Sequence, residues 1–233
     1  LRLSAYDSKS IRRDRKGFEK FRTEMPFFKE SMYIDEELRK NLNTMLQTNN
    51  QELINQILTK IFDDQVELIK ASYVTLERMR MEALTTGTVT LASNGQAYSY
   101  DYGLEVDQKV TVAKSWSDPE ADVIGDIIKY VEDMKAKGFV ITRAVCNSSV
   151  AKNFRTNNAI KNAVYVFANG TVNVTTDRAL DYIYNETGVS FYVYDNAYVN
   201  ENGEAVKYIP DNTLVLLPDG ELGKTHTGVT PEE

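Results

Sequence analysis

The chain of 233 residues is 42% hydrophobic and 26% charged, a balance that fits a globular protein with one large domain or two small ones. Its net charge of −7 argues against bulk affinity for nucleic acid, and its single cysteine excludes an internal disulfide and any cysteine-based zinc cluster. No apolar run approaches the ~18 residues of a membrane span, and the N-terminus has no signal-peptide-like apolar region, so a soluble intracellular protein is the expectation.

The charge is unevenly spread. Residues 1–30 hold nine Lys/Arg and five Asp/Glu, a net of +4, which leaves a net of −11 on the remainder. Residues 1–24, LRLSAYDSKSIRRDRKGFEKFRTE, lack a helical period and peak in charge at IRRDRKG. They read as an extended, exposed arm. Met25–Ile34 (MPFFKESMYI) is more apolar and opens on an X-Pro step, which predicts a strand returning from the arm. A short helix is expected at Asp35–Leu46.

The strongest pattern is Gln51–Leu84. Ile54, Ile57, Leu58, Ile61, Leu68, Ile69, Tyr73, Leu76, Met79 and Ala83 recur at helical spacing. Asn49 with Glu52 resembles a capping box, and Gly87 is a stop signal. Such a helix is about 50 Å long, longer than a compact globule of this size needs. It is either part of a coiled coil or the spine of an elongated subunit. Asp64 and Gln65 interrupt a strict heptad and favour the spine.

GTVTLASNGQAYSYDYG then alternates β-branched and aromatic residues about Asn94-Gly95, a hairpin signal. VDQKVTVAKSW predicts a further strand. Trp116–Gly138 reads as a helix with Asp118 as N-cap, Pro119 in first position and an apolar stripe of Val123, Ile124, Ile127, Ile128, Val131 and Met134. A buried strand is expected at Phe139–Val145 and a helix at Ser148–Thr156. A further helix, Asp177–Glu186, is capped by Thr176 and ended by Gly188. SFYVYD and AVKYI read as hairpin-prone strands turning at Asn202-Gly203, followed by a strand in TLVLLPDG. The pattern changes character near residue 115, a plausible domain boundary.

Signals of chemistry are sparse. His226 is the only histidine and sits in a Gly/Thr-rich tail without partners for a triad or a metal. Cys146 has no sequence-adjacent base and reads as a buried small hydrophobe. Glycine motifs for nucleotide phosphates are absent. The Asp63-Asp64 and Glu36-Glu37 pairs fall on helices, where neighbouring residues diverge, and read as solvated faces. Sequons at Asn147, Asn169, Asn173 and Asn185 read as turn and loop residues in an intracellular protein. The chain is expected to be no enzyme, with no cofactor and no metal. The arm, interleaved with Tyr6 and Phe18, could contact phosphates. Docking of this basic arm on the acidic body of a neighbouring copy accounts for the charge split better. Arg12, Arg13, Arg15, Lys16, Lys20 and Arg22 are the resulting subunit-interface candidates.

Four stretches carry a family resemblance: EKFRTEMPFFKESMYIDEELRKNL (19–42), RMRMEALTTGTVTLASNGQAYSYDYG (78–103), WSDPEADVIGDI (116–127) and NTLVLLPDGELGKTHTGVTPEE (212–233). In this order and spacing the chain resembles the lambda-like major capsid protein E family of tailed bacteriophages. The resemblance implies an α+β fold of the phage Hong Kong ninety-seven type. Residues 1–33 would be the returning half of an extended loop. Residues 34–115 would be a peripheral domain with a spine helix at 50–84 and a β-hairpin, and residues 116–233 an axial domain. It also implies a structural head protein that self-assembles into hexamers and pentamers of an icosahedral shell around DNA held only non-specifically. Portal, scaffold and decoration proteins would be further partners, with no membrane. The expected location is the virion, and the host cytoplasm during assembly. Relatives carry sequence on both sides of the matched region, so the chain is expected to be a fragment cut at both ends. Two alternatives stand beside this reading: an encapsulin-like compartment subunit, and a nucleic-acid-binding protein that uses the basic arm.

Overall fold

The computed structural model describes residues 24–32, 35–47, 51–93, 95–165, 173–200 and 202–229. The chain divides into two compact units, Leu1–Lys29 with Thr227–Glu233, and Glu30–His226. Among the described residues, every helix and strand belongs to the second unit. The strand expected at Met25–Ile34 does not form over residues 24–32, and Tyr33 and Ile34 lie outside the described residues. Met25, Phe27, Phe28 and Met32 are exposed there. No strand among the described residues lies alongside to take up a ladder, and an apolar composition alone does not satisfy backbone groups.

Helix α1 spans Glu36–Gln47 and α2 spans Gln51–Thr86, the latter 36 residues, or about 54 Å. The short helix expected at Asp35–Leu46 and the long one expected at Gln51–Leu84 both form. Asn49, the expected cap of α2, lies outside the described residues. Gly87 ends α2 at φ 74°, its N–H donating to Ala83 O at 3.0 Å. A Cβ at Gly87 would come within 2.5 Å of Leu104 Cδ1, so both the backbone angle and the close approach require glycine.

Strands β1 (Thr88–Ser93) and β2 (Gln96–Asp101) form the expected hairpin, paired from Thr88↔Asp101 to Ser93↔Gln96. Val89 and Leu91 turn inward and are buried. The outer edge of β1 is occupied by side chains of α2. Thr90 N–H donates to Glu82 Oε1 at 2.9 Å, Arg78 Nη2 donates to Thr90 O at 3.2 Å, and Thr88 N–H donates to Thr86 Oγ1 at 3.2 Å.

The strand expected over residues 106–116 is replaced by a single 3-10 turn at Val106–Gln108, capped reciprocally by Glu105 and Gln108, and by further turns. Val106 is 90% exposed. Alternation of β-branched residues favours a strand only where a neighbour completes the ladder, and among the described residues none pairs here. The next helix, α3, spans Val123–Ala136 and starts later than expected. Asp118 Oδ1 accepts from Glu120 N–H at 2.8 Å in a local turn, while Pro119 O accepts from Asn158 N–H at 2.8 Å. The carbonyl that would begin a helix at Pro119 is thus used elsewhere. Asp122 caps instead, accepting from Gly125 N–H at 3.0 Å. A Cβ on Gly125 would overlap the Asp122 carboxylate.

The remaining elements form one α/β assembly. Strand β3 (Ile141–Cys146) is central in a sheet of order β4–β3–β7, with β4 being Ser190–Val193 and β7 Leu214–Pro218. It runs parallel to β4 and antiparallel to β7. Phe139 and Val140, expected inside, are exposed and precede the strand. Helices α4 (Ser148–Thr156), α5 (Asn158–Val164) and α6 (Thr176–Thr187) connect β3 to β4. α4 has its predicted bounds. α5 lacks a predicted counterpart. In α6, Thr176 is the first helical residue and Thr175 holds the cap position, with Gly188 closing the helix at φ 70°. SFYVYD pairs with β3, and AVKYI contributes β6 (Ala205–Lys207), whose partner is β5 (Ala197–Val199). The hairpin expected between SFYVYD and AVKYI therefore does not form. β4 follows α6 and completes a β–helices–β crossover, which seats it parallel to β3 and out of hairpin reach.

The core lies between this sheet and its helices. Val123, Ile127, Val150, Phe154, Ile160, Ala179 and Ile183 are buried around Cys146. Phe154 is the hub, 5.8 Å from the Trp116 ring and 5.5 Å edge-on from Phe191. Burying a side chain of this size contributes on the order of 2–3 kcal/mol. Two buried asparagines fix the helix starts. Asn147 Oδ1 accepts from Ser149 N–H at 3.1 Å, and its Nδ2 donates to Ile209 O, Pro210 O and Asp211 Oδ1. Asn157 Oδ1 accepts from Ile160 N–H at 3.1 Å, and its Nδ2 donates to Ala121 O at 2.7 Å.

Candidate assembly surfaces

Each residue weighed for catalysis falls in a place without chemistry to support it. His226 is exposed in the irregular segment 221–229. Cys146 is fully buried, and burial, followed by the charge of Asp195, pushes its thiol up to about 12. Asp63-Asp64 lie on α2 and Glu36-Glu37 on α1, where Glu36 faces Arg39 at 3.9 Å beside a shallow open groove. Among the described residues no group of three or more His, Cys, Asp or Glu is arranged to hold a metal ion. No helix among them is long and apolar enough to cross a membrane. Of the sequons, Asn147 is the buried cap just described, and Asn169 lies outside the described residues.

The interface candidates Arg12, Arg13, Arg15, Lys16, Lys20 and Arg22 lie outside the described residues. What the structure does present is apolar surface on α2. Leu58, Phe62, Val66, Ile69 and Tyr73 stand exposed along one line, with Phe62 at 62% and Tyr73 at 67%. Apolar side chains left in water over four turns of a helix mark a contact surface. Leu58, Ile69 and Tyr73 belong to the apolar stripe that the sequence predicts for this helix.

The C-terminal half of α2 is held by long-range ties that no local pattern announces. Tyr194 Oη donates to Glu77 Oε1 at 3.0 Å, and the Arg78 guanidinium lies 5.9 Å from the centre of the Tyr198 ring. Tyr208 packs on both Tyr194 and Tyr198, at 6.0 and 5.1 Å between ring centres. Burial pushes the phenols of Tyr194 and Tyr208 above their ordinary value. Arg80 donates to Thr225 Oγ1 at 3.2 Å, and Arg143 donates to Pro218 O at 3.1 Å and Gly220 O at 2.5 Å. The hairpin β5–β6 and the segment after β7 are thereby fastened to α2 and β3.

The described residues thus present a long exposed apolar helix face beside an α/β body. The sequence pattern of the phage major capsid protein E family matches residues 1–233, the whole chain. The chain belongs to the phage major capsid protein E family. No curated protein matches it. Among solved structures, the capsid protein E chain is similar to a crystal structure described as that of a candidate capsid protein of an E. coli CFT073 prophage. The two are 18% identical, with a TM-score of 0.48. The match covers 82% of the capsid protein E chain and 54% of the solved chain, so it spans little more than half of that protein.

Proposed function

We propose that this capsid protein E chain acts as a structural subunit of a phage or prophage head, contributing contact surfaces and no catalysis. The observation that carries the reading is the family match over residues 1–233. The solvent-exposed apolar line on α2 supports it, because a shell subunit must keep such surface for its neighbours. On this reading the subunits form hexamers and pentamers of an icosahedral shell, and the protein resides in the virion after assembly in the host cytoplasm. DNA is enclosed without specific contacts, in keeping with the net charge of −7. Portal, scaffold and decoration proteins are its further partners.

Residues 34–115 form the peripheral part, residues 116–233 the axial part, and residues 1–33 a loop segment that reaches a neighbour. Arg12, Arg13, Arg15, Lys16, Lys20 and Arg22 supply that segment's positive charge to an acidic neighbouring body. Electron microscopy and sedimentation of the product of the complete reading frame test the proposal. Closed shells or capsomers are expected, and a strictly monomeric product overturns it. Reversal of Arg12, Arg13 and Arg15 to Glu weakens assembly most at low salt, where screening is least. Unchanged assembly removes the arm from the account.

A further inference from the structure

The exposed line on α2 complements itself in only one orientation. At about 100° per residue, Phe62, Val66, Ile69 and Tyr73 fall within roughly 60° of helix circumference. Their spacing of four, three and four residues is that of alternating core positions in a two-helix seam. All four are exposed. Of the two residues that interrupt a heptad in the sequence, Asp64 lies well around the helix from this line and is half-buried, and Gln65 stands beside the line without entering it. The charges beside the line fall on one flank only, Asp63 and Lys70, while the opposite flank carries Gln65 and Ser72. Asp63 and Lys70 are seven residues apart, about 10 Å of helical rise, too far to pair within one chain.

Two copies aligned in parallel would set this charged flank against the uncharged one. Two copies aligned antiparallel bring like flanks together, which places Asp63 beside Lys70 of the second copy and Lys70 beside its Asp63. The same register stacks Phe62 on Tyr73 and Val66 on Ile69, each twice, so the contact closes under a two-fold axis. We propose that α2 pairs antiparallel with α2 of a second copy along Phe62, Val66, Ile69 and Tyr73, oriented by reciprocal Asp63–Lys70 contacts. The seam is four layers long, on the order of 17 Å. It buries less than the ~800 Å² per partner of a standard interface. The pair is therefore weak between free chains and gains strength where many copies are held together. It rests on the capsid reading only for that multiplicity.

Sedimentation velocity on the whole chain, from micromolar to near-millimolar concentration, tests the pair. Asp63→Lys or Lys70→Asp alone should weaken dimerisation about fivefold at low salt through two lost ion contacts. The double variant D63K/K70D should restore it, since restoration can arise only between copies. A chain that stays monomeric throughout, single reversals without effect, or a double variant no better than the singles each overturn the proposal. Orientation is read separately by oxidising a mixture of F62C and Y73C chains, with far-ultraviolet circular dichroism to verify folding. Crosslinks between the two variants are expected. Crosslinks within either variant alone would show a parallel pair and overturn it. Shells that still form from the complete gene product carrying Val66→Asp would count against the pair and leave the capsid reading standing. Absence of shells from the unmodified product would count against the capsid reading, while the dimer and crosslinking results still decide the pair.

Discussion

Tyr194 and Glu77 are 117 positions apart in sequence, and the phenol of one donates a 3.0 Å hydrogen bond to the carboxylate of the other. The bond joins the end of the three-stranded sheet to the C-terminal half of α2, and the Tyr208 ring packs tilted against that of Tyr194. Tyr194→Phe should cost about 1 kcal/mol, because it removes a charge-assisted bond and leaves the ring packed. Chemical denaturation checks this, and Glu77→Gln should cost less, since an amide oxygen can still accept.

Three phenols, two of them in this cluster and Tyr182 on α6, set an alkaline limit. Tyr182, Tyr194 and Tyr208 are all raised above 10.0, with burial the first cause in each. A raised phenol favours the fold in its neutral form. Its contribution is full below the unfolded value near 10.0 and is lost as pH climbs through the higher folded value. Stability should therefore be level toward pH 10 and fall beyond it. Tyr208→Phe should flatten that decline, as followed by denaturation at a series of pH values alongside tyrosinate absorbance.

Asn147 is the residue whose loss should be felt most for its size. Its side chain caps α4 and holds Ile209 O, Pro210 O and Asp211. Asn147→Ala removes the cap and orphans buried carbonyls, at a combined cost of about 2–3 kcal/mol. Fluorescence of Trp116, the only tryptophan, reports the transition directly, since its ring packs on Phe154 in the same core.

Cys146 should behave as an inert thiol. With the side chain fully buried and its acidity pushed up to about 12, thiolate is scarce at any pH where the fold is stable. A thiol reagent at neutral pH should label it no faster than the chain unfolds. Rapid stoichiometric labelling of the native protein would contradict the buried placement.

Gly87→Ala should destabilise the junction of α2 and β1 by about 1–3 kcal/mol, from the positive φ and the encroachment on Leu104 together. Gly203, also at positive φ but with open space where a Cβ would lie, should tolerate alanine better. Paired melting temperatures separate the steric part from the backbone part.

Legibility followed the range of the forces involved. The bounds of α4 were readable because Asn147 and the run after it are a local cap and a local period. α2 was readable because many residues repeat one spacing. The start of α3 was not, since two aspartates compete to cap it. The choice falls to Pro119 O, which is committed to Asn158 N–H 39 residues later. Residues 106–116 misled because β propensity cannot say whether a neighbouring strand exists. The ties at Tyr194, Arg80 and Arg143 were invisible for the same reason: each partner lies far away in sequence. Whether the apolar side of α2 is covered was not legible, because periodicity marks an apolar side without saying what, if anything, covers it. The basic arm was legible as composition alone, and its six interface candidates lie outside the described residues.

The outer edge of β1 bears on how copies of this hairpin can meet. With Thr88 and Thr90 engaged by Thr86, Glu82 and Arg78, a strand from another molecule finds donors and acceptors taken on that side. Only the β2 edge stays open, so two hairpins can join there once and no third can follow. Ribbon-like polymerisation through a hairpin needs both of its edges open. Growth through this hairpin thus ends after a single step, leaving any larger contact to other surfaces.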